Sequence, residues 1–220
     1  MTTLQHVTLR PTAQPSAASR WLTAGLVAGP LYVGVSLSQA LTRDGFDLTR
    51  HAWSTLANGS LGWIQMANLA VTGLLVLTVA VGLRTVLDGG PGSRWAPRGL
   101  TIFGAGMIAA SLFQADPSLG FPAGTPADYR AVSWHGTVHM MAASTAFAGA
   151  IVAILALARR FARTGRRGAA LASRAVAVFF VTSFLGLAGT GGSVGVVAFT
   201  IGIVAVFGWL AAVAAAYRTA

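Results

Sequence analysis

A bilayer-length apolar run recurs six times along this chain of 220 residues, and little but short connections lies between the runs. Crossing the hydrocarbon takes about 20 residues of low polarity. The candidate spans are 21–41, 64–83, 100–113, 134–158, 175–191 and 194–217, the third being short unless its ends extend. A composition that is 55% hydrophobic and 9% charged, with a mean hydropathy of +0.68, lies outside the range of ordinary soluble domains. The reading is all-α: one polytopic membrane bundle of six transmembrane helices over residues 20–220, behind a tail (1–19) rich in Thr, Ala, Ser and Pro that reads as disordered. Ser38-Gln39-Ala40 has the form of a signal-peptidase site, but the preceding apolar stretch is longer than a signal core and is expected to stay in place.

Charge gives the chain a direction. Twelve of the fifteen arginines (10, 20, 84, 94, 98, 159, 160, 163, 166, 167, 174 and 218) fall in the tail, the second and fourth connections and the C-terminus, against Arg43, Arg50 and Arg130 in the opposite loops. The positive-inside rule therefore assigns both termini to the cytoplasm and puts Asp44, Asp47, Asp116 and Asp128 outside. Trp21 and Trp95 fall near inner boundaries, and Trp53, Trp63 and Trp134 near outer ones, the depth at which indole rings collect. A net charge of +10 would suggest nucleic acid for a soluble protein. Here the arginines flank apolar spans, so membrane lipid with anionic headgroups is the implied partner and nucleic acid is not. Every basic residue is arginine, which fits a GC-rich coding background and, with the apolar spans, a bacterial plasma membrane.

Helices in lipid gain little from apolar burial against one another, so small residues must bring them close. Gly25 and Gly29 form a Gly-x-x-x-Gly face, Gly104 and Gly106 flatten the third span, and Gly186, Gly189, Gly202 and Gly208 thin the last two. Tyr32, Ser36, Gln65, Asn68, Gln114, Ser144 and Thr182 are expected to hydrogen-bond between helices. Arg43, Arg50 and Arg130 are expected to pair with Asp44, Asp47 and Asp128.

The chemistry-bearing residues gather on the arginine-poor side. His135 and His139 are four apart and share a helix face. Asp116 ends the preceding span, and the Pro- and Gly-dense loop after it is short enough to return the carboxylate to the histidines as a rigid lid. His51 could add a third imidazole. With no cysteine in the chain, a metal would rely on this set, which suits zinc or another divalent ion with one position left to water. Three readings stand: a structural polar cluster, a metal site, and an acid/base site. They lead to two functions, a metal-dependent hydrolase acting on a lipid-like substrate through His51, Asp116, His135 and His139, or a non-catalytic scaffold or partner-binding protein, with a homo-oligomer open to either. A transporter fits less well, because the first two spans carry no charge between Leu22 and Gln39 or between Ile64 and Leu83.

The stretch 51–68, from His51 through Trp53 and Trp63 to Asn68, continues into Thr72-Gly73 and Val81-Gly82-Leu83-Arg84 and resembles the domain of unknown function 998 family. Phe113-Gln-Ala-Asp116-Pro117, the Gly120 to Pro126 loop, and Trp134-His135-Gly136 with His139 carry the most specific part of that resemblance. It extends over about residues 20–215 and implies a six-helix integral membrane protein. It implies no activity.

Overall fold

In a computed structural model, which describes residues 17–219, the chain forms six α-helices and one short 3-10 helix. They are α1 (Ala17–Thr42), the 3-10 helix (Trp53–Ala57), α2 (Gly62–Val86), α3 (Trp95–Leu112), α4 (Trp134–Arg163), α5 (Arg167–Thr190) and α6 (Ser193–Arg218). Five of them are long and apolar enough to cross a membrane, and the chain is a multi-pass membrane protein. The exception is α3, whose 18 residues rise about 27 Å at 1.5 Å per residue, just under a hydrocarbon core of about 30 Å. The third span thus gains a turn at its start, at Trp95, and ends at Leu112, before the Asp116-Pro117 pair expected to stop it. The first 16 residues of the tail lie outside the described residues, and Ala17 already belongs to α1.

Each helix packs against its neighbour in sequence, and α6 closes on α1, so the six helices make a ring. Close approach at the crossings depends on missing side chains. A Cβ on Gly73 would lie 2.7 Å from the Gly104 carbonyl oxygen, and one on Gly104 equally close to that of Gly73, which sets the α2–α3 contact. Gly99 and Gly149 do the same for α3 and α4, and Gly25 and Gly29 lie against Ala214 and Phe207 where α1 meets α6. α3 therefore sits between α2 and α4 through small residues on both flanks, which explains how the shortest of the α-helices holds its place. Gly202 meets Ser183 and Phe180 as expected, but Gly189 and Gly208 face open space and thin no contact.

Polar residues within α1 and α2 find one another. Gln65 Oε1 accepts from Ser36 Oγ (3.2 Å) and Gln39 Nε2 (3.0 Å), and Asn68 Nδ2 donates to the Tyr32 carbonyl (3.1 Å). All five residues are buried, and in lipid such groups must be satisfied within the protein. Thr182 instead bonds back to carbonyls of its own helix. The final hairpin turns at Gly191, which takes the left-handed conformation (φ 59°) that ends many helices.

A methyl at a crossing should cost about 1–3 kcal/mol as overpacking, whereas one on a lipid-facing glycine should not. Gly104→Ala should therefore lower the melting temperature in detergent while Gly34→Ala, with nothing within 4 Å of its Cβ position, leaves it unchanged or raised. Equal melting of the two variants would show that the α2–α3 crossing is looser than described.

Candidate functional site

The four sequence candidates sit at the arginine-poor end of the ring but are not gathered into one centre. Among the described residues, no three histidine, aspartate or glutamate side chains come together as a set that could hold a metal ion. Each has instead a partner that can be named.

His51 is buried in the loop after α1. Its Nδ1 accepts from the Asp47 backbone N–H (2.9 Å), which leaves Nε2 protonated to donate to the Leu119 carbonyl (3.2 Å). Both ring nitrogens are committed, and the imidazole pins the first loop to the one after α3. Phe46 and Phe121 close around it with ring centroids at 5.3 and 5.6 Å, and the Arg43 guanidinium lies over Phe121. Arg43 donates to the Leu56 carbonyl and the Asn58 carbonyl at the end of the 3-10 helix, so it braces the loop where an ion pair with Asp44 was expected. The Pro- and Gly-dense loop does form a lid, folded back by mutual backbone hydrogen bonds between Ser118 and Phe121, but it seats on His51 and Arg43. Phe121, only 1% exposed, is its anchor.

Asp116 does return to the start of α4. Its Oδ1 accepts from Ser133 Oγ (2.5 Å) and its Oδ2 from the Ser133 backbone N–H (3.0 Å). Ser133 in turn caps α4, its Oγ accepting from the Gly136 N–H (3.0 Å). The carboxylate lies so close over Gly136 that no side chain fits at that position, and a negative charge there complements the helix N-terminus.

His135 and His139 serve the end of α3. The last carbonyls of any helix lack intrahelical partners, and here an imidazole N–H takes one of them, Ala110, together with the carbonyl of the C-cap residue Phe113. His139 Nδ1 stands 2.9 Å from both the Ala110 and the Phe113 carbonyls, and His135 Nδ1 stands 3.2 Å from the Gln114 carbonyl. Because a carbonyl only accepts, both Nδ1 atoms carry the proton. The four-residue spacing thus ties one helix end to another, and in the neutral ring each Nε2 is left as an acceptor.

His139 is 2% exposed and borders a cavity of about 110 Å³ inside the ring, to which all six helices contribute. Phe103, Phe147, Phe180, Phe199 and Phe207 give its wall an aromatic character. Trp53 closes it from the 3-10 helix, buried at 3% exposure where a headgroup-depth position was expected, and its indole N–H has no acceptor. α4 and α5 also contribute Met140, which is half exposed, Ala143, Phe184 and Leu187. Neither Trp53 nor the phenylalanines stand out in the sequence as a site, because an aromatic residue in an apolar span reads the same whether it faces lipid, core or cavity.

A family model described as protein of unknown function (DUF998) matches residues 26–216. No curated protein and no solved structure matches the chain.

Burial pushes the His51 pKa below the ordinary imidazole value. Because the folded value is the lower one, the unfolded chain binds more protons in acid, so this contribution to stability is full above about pH 6.5 and is lost as the pH falls through the folded value. Thermal melts in detergent should show that loss below pH 6.5, and His51→Gln should flatten it. A melt as pH-sensitive in the variant as in the parent would remove His51 from this role.

Proposed function

The chain belongs to the DUF998 family, and on that premise we propose that it is a non-catalytic protein of the plasma membrane, both termini cytoplasmic, that binds a lipid-like molecule between its helices. The cavity at His139, which at about 110 Å³ takes the head of such a molecule and not the whole of it, carries this reading. Its walls are apolar, and one of its lining residues, Met140, is half exposed on the lipid-facing helix α4, from which side a molecule would arrive. An apolar molecule already dissolved in lipid gains little by moving into an apolar cavity, so selection must come from polar groups. One is available, the Nε2 of His139, an acceptor when the ring carries its proton on Nδ1. A hydroxyl satisfies it by donating.

Hydrolysis through a bound metal asks for a third donor beside His135 and His139. Asp116 is held by Ser133, and His51 by Asp47 and Leu119. The polar cluster is accounted for by loop and helix-end contacts, which favours a binder over an enzyme.

Ala143→Trp would fill the cavity from its wall. Mass spectrometry of lipids retained through mild detergent purification should find a hydroxyl-headed species enriched in the parent protein and depleted on the order of tenfold in the variant, a difference of about 1.4 kcal/mol. Unchanged melting would confirm that the variant folds. Identical retained lipids in both proteins, or none enriched over the bulk membrane in the parent, would overturn the proposal.

A further inference from the structure

The opposite, arginine-rich end has its own concavity, separate from the histidine site. The loop joining α2 to α3 lies against the last turns of α4 and encloses with them a groove of about 910 Å³, lined by residues 89–95 together with Val152, Leu155, Ala156 and Arg159. That is near the upper end of the range for small-molecule sites.

The groove is held open in a fixed shape. Gly92, at φ +84°, lets the loop lie directly on α4, where a Cβ would come 2.8 Å from the Ala156 carbonyl oxygen. Arg160 donates from one guanidinium nitrogen to the carbonyls of Gly89 (2.9 Å) and Pro91 (3.3 Å), fastening the loop to the helix. Other arginines nearby are also engaged, with Arg98 over the Trp95 ring and Arg166 over Phe161. Arg94 and Arg159, the two that line the groove, are exposed and make no side-chain hydrogen bond or ring contact within the described residues. The acid nearest in sequence, Asp88, is not among the lining residues. Below the two guanidinium groups the wall turns apolar, where Val152 is 37% and Leu155 47% exposed on a helix that faces lipid. Trp95, 60% exposed, stands at the edge, the position an indole takes at headgroup depth.

We propose that this groove is a stoichiometric binding site for one anionic phospholipid, its phosphate between Arg94 and Arg159 and its acyl chains along Val152 and Leu155. Charge sets the occupant. Two unpaired guanidinium groups, each suited to bidentate capture of phosphate, face the leaflet in which the positive-inside rule places anionic lipid. The apolar wall beneath them distinguishes a phospholipid from a free phosphate ion, which would have no use for it.

Native mass spectrometry of the full chain, titrated with phosphatidylglycerol or phosphatidylcholine in a neutral detergent, tests this. One phosphatidylglycerol should bind saturably per chain, phosphatidylcholine should not compete, and millimolar inorganic phosphate should not displace the lipid. Arg94→Ala/Arg159→Ala should weaken that binding roughly thirtyfold, equivalent to about 1 kcal/mol per arginine. Arg163→Ala/Arg167→Ala, an equal loss of charge on the neighbouring basic turn, should change it less than threefold. Ser93→Glu, which sets a carboxylate in the groove, should also abolish the site without touching either arginine. Equal weakening in the two double variants, or parental binding in Arg94→Ala/Arg159→Ala, would overturn the proposal in favour of diffuse attraction. Displacement by inorganic phosphate would overturn it in favour of an ion site.

Discussion

A helix that stops short of the bilayer surface leaves carbonyl oxygens where water is scarce, and the arginine-poor end of this protein is arranged around that problem. α3 has 18 residues, about 27 Å of rise, and its final carbonyls need donors from the protein. α4 supplies one through His139, shared between Ala110 and the C-cap residue Phe113, while His135 holds the Gln114 carbonyl just beyond. Once the histidines are fixed there, the remaining contacts follow. Ser133 caps the helix that carries them, Asp116 holds Ser133, and the loop after Asp116 folds back onto His51.

The same constraint gives His139 its second face. With Nδ1–H shared between the Ala110 and Phe113 carbonyls, the neutral ring has a bare Nε2, and His139 borders the cavity at the centre of the ring. A residue recruited to finish a helix thereby becomes the natural polar group of a binding pocket. The lipid-binding reading depends on this double use. The groove at Arg94 and Arg159 does not depend on it, because it arises from a different loop held by Gly92 and Arg160.

Most of the architecture was legible in the sequence because apolar length is a strong signal and lipid allows few responses to it. The six helices, the tight turn at Gly191-Gly192 and the closeness of Asp116 to the start of α4 could all be read from spacing. The pairing of His51 could not. Four potential ligands on one side of a membrane look like a metal set in sequence, and only coordinates reveal that two backbone groups, the Asp47 N–H and the Leu119 carbonyl, already occupy that imidazole. Backbone partners carry no sequence signature. Arg43 misled in the same way: a nearby aspartate suggested an ion pair, whereas its partners are the Leu56 and Asn58 carbonyls. Trp53 was hidden for a different reason, because a short 3-10 helix folds inward and takes the indole from the headgroup layer into the bundle.

The central claim is that His139 completes the end of α3 through Nδ1 and offers a bare Nε2 to the cavity. Nitrogen-15 spectra of histidine-labelled protein in lipid nanodiscs, with His139 assigned by comparison with a His139→Gln sample, report the tautomer directly. The account predicts a ring protonated at Nδ1 and unprotonated at Nε2. A ring protonated at Nε2 with bare Nδ1 would contradict it, since two carbonyl oxygens could not then face Nδ1.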